Sequence, residues 1–486
     1  MEQSYDDLVG GSGRSVYYRP RRYRPRALLS RLPARLEVAG LPVKLNDLSM
    51  SGVCYQLGDA ETAPPRGSVV PLQLSVGDVV AFSGRGEVVR SQSEFPRTKV
   101  ALRLLDDLIE PAVIQRLHDK LVFEDAIRRG TDVFRDVADD YKRVCGDGAL
   151  FLNHWRALLD DCEKNLRRDA RDDGPKAVRR FEETAEERMR SEWEEIRRRA
   201  NEAVAPAFAS KALFLATKRY TETQLTPLLM SAPIWRRAFE KPLGYPGDYR
   251  LMNYMYDPSR LGKTAFARIL HQLGREERLT ATVPARKDLL VQHIRRTASR
   301  VRGGAGRPVR IMSVGAGPAR EIEEYLETTP SVPKIVFSLI DQDEEALSFA
   351  HRRIHHAALR HEGRVEIHCR YVAFRQFLAR QELLDEVRDQ DLIYSAGLFD
   401  YLSTPVARML VTRLFELVAP DGSLVLGNAA DDAHVKWVPE FVLDWHMIYR
   451  TEPDMREMAG DLGEAAKIEI QSDPSKAWSF LVARRL

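Results

Sequence analysis

Five short apolar runs, Val309 to Val314, Ile335 to Ile340, Val365 to Cys369, Leu392 to Ser395 and Leu424 to Gly427, follow one another about 25 to 30 residues apart. Short apolar runs of that length read as buried strands, and each interval has room for one crossover helix. From about Val309 onward the chain is therefore expected to build a parallel sheet packed between helices. Two more runs, Lys467 to Ile470 and Trp478 to Ala483, are too close together for a crossover helix. The last strand is expected to enter antiparallel, completing a Rossmann-like α/β sheet of seven strands.

The residues before this sheet have two other textures. From Ala34 to Leu104 apolar and polar residues alternate in short runs broken by turns: Arg35 to Val38, Val43 to Leu45, Gly52 to Gln56, Val69 to Leu74, Gly84 to Val89 and Val100 to Leu104. That spacing predicts a small antiparallel β-barrel. After Asp106 the pattern turns helical, starting with Glu110 to Arg128. Phe181, Ala185, Met189, Trp193, Ile196 and Ala200 then form one apolar stripe, flanked by the i,i+4 pairs Glu186 with Arg190, Glu194 with Arg198 and Glu195 with Arg199. Such a helix packs on a core with a solvated flank, or else joins two copies of the chain. Asp169 to Pro175 is expected to be an exposed loop. The chain is thus read as multidomain: a barrel domain over residues 14–128, a helical linker or cap over 129–240, and an α/β domain over 241–486 with a helical extension to about 308.

Charge and cysteine content narrow the partners. With 74 basic and 71 acidic residues the net charge is only +3, so binding of a polyanion requires a local patch. One exists: Arg14, Arg19, Arg21, Arg22, Arg24, Arg26, Arg31 and Arg35 follow one another with no acid between Arg14 and Leu36. Cys54, Cys145, Cys162 and Cys369 form no CxxC pair, and no apolar run approaches the roughly 20 residues that cross a bilayer. The chain is expected in the cytoplasm. His351 and His355 share a helix face, but no strong third ligand accompanies them and no metal is expected.

The strand Val309 to Val314 runs into Gly315-Ala316-Gly317-Pro318-Ala319-Arg320-Glu321 before a helical pattern. Glycines there let a ligand approach the backbone beside a helix N-terminus. The next strand ends in Asp341, whose carboxylate can accept two hydrogen bonds from a ribose diol. A nucleoside site follows. The sixth position of the turn is Arg320, not the small residue of a dinucleotide fingerprint, and over Pro308 to Leu486 the chain resembles the class I S-adenosylmethionine-dependent methyltransferases. The resemblance implies that Gly315 and Gly317 underlie the cofactor, that Asp341 holds its ribose, and that Val372 and Ala373 flank its adenine. It also implies that the fourth strand, ending at Ser395, leads to the face where cofactor and acceptor meet. Ser313 departs from the acid that the family often carries two residues before the first glycine.

On the acceptor side, Arg450 or His446 could orient a carboxylate, and His446 could instead serve as a base for a hydroxyl or amine. Pro242-Leu243-Gly244-Tyr245-Pro246-Gly247-Asp248-Tyr249 places two glycines and two tyrosines around an acid, a functional loop or a well-formed turn. With Leu443-Asp444-Trp445-His446-Met447-Ile448-Tyr449-Arg450, this stretch is similar to a bacterial methyltransferase group that includes the synthases of 3-hydroxy fatty acid methyl esters. That resemblance implies carboxyl O-methylation of a fatty acid, with Tyr245, Asp248, His446 and Arg450 as candidate catalytic residues and the helical segment as a cap.

The arginine cluster contains an RxxxR, Arg22 to Arg26, and 21 residues after Arg26 begins Asp47-Leu48-Ser49-Met50-Ser51-Gly52, a DxSxxG. Around a small barrel this pair of motifs resembles the PilZ domain, which binds cyclic di-GMP. Arg22 and Arg26 can pair with phosphates and guanine edges, Asp47 and Ser49 offer hydrogen-bonding groups to guanine, and Gly52 carries no Cβ to clash. A nucleic-acid or anionic-lipid arm would explain the charge but not the DxSxxG. The expected whole is a cyclic di-GMP-responsive methyltransferase acting on a small apolar acceptor. Its rivals are a cyclic di-GMP-gated interaction module with a non-catalytic methyltransferase fold, and a nucleic-acid methyltransferase, disfavoured because Ser395-Ala396-Gly397-Leu398 stands where amino methylation of bases often uses an Asn/Asp-Pro-Pro-aromatic tetrad.

Overall fold

A computed structural model describes residues 22, 23, 25, 29, 32, 34–57, 63–94, 97–130, 132–168, 174–302, 307–372 and 386–486. Arg26, Ala373 and residues 169–173 of the expected loop lie outside the described residues. The fold is multidomain, and the chain divides into two compact units, Met1–Arg135 and Asp136–Leu486.

In the first unit six strands, β1 (Ala34–Val38), β2 (Leu41–Ser49), β3 (Gly52–Leu57), β4 (Val69–Val76), β5 (Val79–Glu94) and β6 (Arg97–Leu104), close an antiparallel barrel in the order β1-β2-β3-β6-β5-β4. Period-two patterning drives this closure: Leu72, Leu74 and Val76 of β4 turn inward while the residues between them do not. They meet Val53, Val88 and Leu102 in one core, which Ile109 and Ile114 extend at the start of helix α1 (Pro111–Arg129).

The second unit begins with helices α2 (Asp139–Arg168), α3 (Gly174–Ala203), α4 (Lys211–Gln224), α5 (Pro233–Glu240), α6 (Tyr249–Tyr256), α7 (Ala265–Arg275) and α8 (Arg278–Arg302). The apolar stripe of α3 is internal, with Met189 and Ala200 fully buried. Its flank differs from expectation. Glu186 and Arg190 pair at 2.6 Å, but Arg198 turns to Glu195 and Glu202, both at 2.7 Å. Arg199 reaches across to Asp147 of α2 at 2.7 Å, which an interhelix contact makes available and local spacing does not reveal. The helices are built onto the α/β part: Trp437 Nε1 donates to Tyr141 Oη at 2.8 Å, and Trp193 lies 5.9 Å from Trp437 between ring centroids.

The sheet comprises β7 (Val309–Val314), β8 (Ile335–Asp341), β9 (Val365–Tyr371), β10 (Gln390–Ser395), β11 (Val418–Ala429), β12 (Ala466–Ser472) and β13 (Trp478–Arg485), in the order β12-β13-β11-β10-β7-β8-β9. Between its strands lie α9 (Arg320–Thr328), α10 (Glu344–Ala358), α11 (Thr404–Glu416) and α12 (Glu452–Met458). β13 is antiparallel to β11 and β12, as the short final connection requires. Every residue of β10 is buried, whereas β9, expected from its apolar run to be a buried strand, has no buried residue. The reason is position: β10 sits inside the sheet and β9 at its edge.

Candidate functional site

After β7 the chain adds β8 and β9 on one side, then returns to place β10 and β11 on the other. The connections leave β7 and β10 in opposite directions, so a crevice opens at their carboxyl ends, where open α/β sheets bind ligands. The glycine turn lies there. Gly315 has φ +68 and Gly317 φ +53, conformations that a side chain disfavours. A Cβ on Gly317 would meet no atom within 4 Å, so the turn borders open space.

Asp341 is tied to this turn. Its Oδ2 accepts from the Gly317 amide at 2.8 Å and its Oδ1 from the Asp343 amide at 3.0 Å. Burial raises its pKa, and those two amides oppose the rise by favouring the ionised form. Val372 donates its amide to the Asp341 carbonyl at 3.0 Å and borders the same cavity, which has a volume of about 260 Å³. Apolar groups such as Ala316, Leu398, Met447 and Trp478 line much of it. Ser395 does not reach the wall; it is buried at the end of β10, and its hydroxyl has no partner among the described residues.

The candidate acceptor residues separate into those that face the cavity and those that hold its frame. Tyr245 borders it and donates its hydroxyl to Asp343 Oδ2 at 2.8 Å, drawing the glycine loop toward the end of β8. Asp248 is not available for catalysis. It is 2% exposed, caps α6 by accepting from the Arg250 and Leu251 amides, and pairs with Arg237 at 2.7 Å. Arg450, also 2% exposed, cannot orient an acceptor carboxylate. Its guanidinium donates to the Phe399 carbonyl at 2.7 Å and, at 2.5 Å each, to the Leu402 carbonyl and Asn428 Oδ1. It thereby fixes the loop after β10, whose Asp400 and Tyr401 do face the cavity.

His446 is not a base in this arrangement. Asp444, 3.3 Å from Nε2, and Glu440, bonded to Nδ1, push its pKa up to about 9, so the ring is a cation at neutral pH. Its neighbour Trp445 is the residue that lines the cavity, with Nε1 donating to Tyr401 Oη at 2.9 Å.

Three ionisable cavity residues received no role from the sequence. Asp400 is pushed up to about 7 by burial, against the Ala429 amide and Arg286, which favour its ionised form. Arg286 and Glu321 are buried ionisable side chains on α8 and α9 that border the same space. Their signal was a charge set within an apolar helical stripe, as Arg286 is among Val283, Leu290 and Ile294.

In the barrel unit, Arg22 pairs with Asp47 at 2.7 Å, beside a bridge in which Tyr23 and Leu48 exchange backbone hydrogen bonds. Asn46 donates to the second oxygen of Asp47 at 2.8 Å. Ser49 sits at the end of β2, its hydroxyl donating to the Gly52 carbonyl at 3.2 Å. A Cβ on Gly52 would come within 2.8 Å of the Leu102 carbonyl oxygen, so the glycine is required by the closeness of β6. Arg90 of β5 acts with Arg22 on the Cys54 thiol, whose pKa burial and then Asp47 raise. Asp47, which holds Arg22, and Ser49, which holds Gly52, thus lie two residues apart on β2, where it pairs with the start of β3.

No family model and no curated protein matches the chain. Solved structures do. A possible exported protein of Bordetella parapertussis is 16% identical, with a TM-score of 0.40 over 58% of this chain and 98% of that one. Magnesium protoporphyrin IX methyltransferase of Synechocystis PCC 6803, with bound S-adenosylhomocysteine, is 12% identical, with a TM-score of 0.34 over 56% of this chain and 100% of that one. The N-methyltransferase NodS of Bradyrhizobium japonicum, also bound to S-adenosylhomocysteine, is 16% identical, with a TM-score of 0.29 over 41% of this chain and 87% of that one.

Proposed function

We propose that the second unit is an S-adenosylmethionine-dependent methyltransferase, that its acceptor is the carboxylate of a small apolar acid such as a 3-hydroxy fatty acid, and that cyclic di-GMP bound at the barrel controls it. The observation that carries the cofactor assignment is the pinned Asp341 carboxylate beside the Gly315 to Gly317 turn, at the switch point of the sheet. Gly315 and Gly317 would admit the cofactor to the backbone, Asp341 would take its ribose, and Val372 would pack on its base. When bound, the cofactor supplies a methyl group on a sulfonium, open to in-line attack.

The acceptor class rests on the resemblance of the Pro242 to Tyr249 and Leu443 to Arg450 stretches, and the apolar cavity supports it. His446 is held as a cation with both ring nitrogens engaged, so it cannot take a proton from a hydroxyl or amine. A carboxylate acceptor arrives ionised and needs only alignment and exclusion of water, which an apolar cavity supplies. Leu398, Met447 and Trp445 give a hydrocarbon tail a surface to lie on.

For the barrel, Arg22 beside Asp47 offers a guanidinium and a carboxylate to a guanine and phosphate ligand. Control of catalysis requires that this ligand bind two states of the protein with different affinity. Among the described residues no helix is long and apolar enough to cross a membrane, and we place the enzyme in the cytoplasm.

Calorimetry of the full chain with S-adenosylmethionine and with cyclic di-GMP, each repeated in the presence of the other, tests this function. Both should bind, with a mutual shift in affinity, and the chain should methylate 3-hydroxydodecanoate. Binding of cyclic di-GMP without the cofactor would replace the enzyme by a ligand-gated interaction module, and failure of cyclic di-GMP to bind would remove the control.

A further inference from the structure

The cavity wall carries a buried cation, Arg286, that forms no ion pair among the described residues. Arg286 is 8% exposed, and its guanidinium stacks on the Trp478 ring, 3.9 Å from the centroid. Its Nη1 makes one long hydrogen bond, 3.4 Å, to the Ala396 carbonyl. Its Nε has no hydrogen-bond partner among the described residues. Two buried acids act on it, Asp400 and then Asp473, and neither forms an ion pair with it among the described residues: measured from the position of a Cβ on Gly397, Asp400 Oδ2 is 3.8 Å away and Arg286 Nη1 4.0 Å away. Asp400 and Arg286 thus border the space above Gly397, and burial keeps Asp400 from being a full anion at neutral pH. A guanidinium taken out of water without a paired anion is costly, and stacking on an indole offsets only part of that cost.

We infer that Arg286 is the anchor of this cavity for the carboxylate of a bound ligand. The inference rests on the methyltransferase reading, under which two ligands carry such a group: the amino-acid end of the cofactor and the acceptor acid. Glu321 borders the same cavity, 6% exposed, and its Oε1 accepts from the neutral Tyr394 hydroxyl at 2.7 Å. A buried acid whose oxygen is met by an uncharged donor suits the ammonium that accompanies the first carboxylate. The apolar wall suits the tail that accompanies the second.

Calorimetry separates these sources. The full chain, Arg286→Gln and Arg286→Lys would be titrated with S-adenosylhomocysteine and with 5′-methylthioadenosine, which has the nucleoside but no amino-acid end. 3-Hydroxydodecanoate would then be titrated in the presence of S-adenosylhomocysteine. Arg286→Gln should keep its affinity for methylthioadenosine, showing an intact pocket, and lose about 30-fold or more for one carboxylate ligand, with Arg286→Lys recovering part of the loss. A loss toward S-adenosylhomocysteine assigns the anchor to the cofactor; a loss toward the fatty acid alone assigns it to the acceptor. Equal affinity of variants and wild type for both carboxylates overturns the inference, as does an equal loss for methylthioadenosine. If the wild-type chain binds neither nucleoside, the methyltransferase reading falls and the inference falls with it.

Discussion

The Gly317 amide donates to Oδ2 of Asp341 at 2.8 Å, so the glycine turn after β7 and the acid at the end of β8 hold each other. The other oxygen is fixed by the Asp343 amide, which also starts α10. Asp341→Asn puts an amide NH2 opposite one of these two donors. S-adenosylhomocysteine affinity should fall by roughly 10- to 100-fold, as expected for loss of hydrogen bonds to a charged group, and calorimetry would read it.

Arg22 and Gly52 serve different ends in the barrel. Arg22 is exposed, so Arg22→Ala should leave thermal unfolding almost unchanged while lowering cyclic di-GMP affinity by roughly 10- to 100-fold. Gly52→Ala drives a methyl group against a backbone carbonyl that cannot rotate away. It should cost about 1 to 3 kcal/mol in stability, read as a lower midpoint in thermal unfolding of the barrel.

The His446 cluster gives a stability term with a defined sign. Its pKa is raised from 6.5 to about 9 by Asp444 and Glu440, so its contribution is complete below pH 6.5 and disappears as pH rises through 9. Melting curves of the wild type and His446→Gln should therefore differ most near pH 6, differ less at pH 7 to 8, and converge above pH 9. A difference that persists at high pH would show that packing, not charge, makes the contribution.

Arg450 joins two carbonyls and an amide oxygen around the loop after β10. Arg450→Met strands those acceptors in a buried setting and should cost roughly 2 to 4 kcal/mol. Chemical denaturation measures the loss. A variant of wild-type stability that fails only in methyl transfer would return Arg450 to the acceptor site.

Much of the frame was legible because it depends on local pattern. The barrel strands follow from alternation such as Leu72, Leu74 and Val76, and the sheet from apolar runs at crossover spacing. The tight turn at Gly315 and Gly317 was legible because positive φ favours glycine; that Asp341 holds this turn through the Gly317 amide was not. Asp248 and Arg450 misled for one reason. A polar side chain in a dense motif looks the same in sequence whether it faces a ligand or caps a helix and ties loops, and in this fold both are spent on the latter. The edge position of β9 did leave a trace that the count of apolar residues passes over: Glu366, His368 and Arg370 alternate with Val365, Ile367 and Cys369, the pattern of a strand with one solvated face.

Sequence by itself determined which segments become strand or helix and where the backbone can turn beneath a ligand, since these rest on periodicity and on φ preferences within a few residues. Which charges share a buried cavity depends on packing in the tertiary structure. Arg286 and Asp400 lie more than a hundred residues apart, and both border the space above Gly397 because α8 packs against β7, β10 and β13 while the Ala429 amide at the end of β11 holds Asp400. Burial there removes water from both groups and shifts their ionisation, and burial is set by packing between distant segments, which no local pattern encodes.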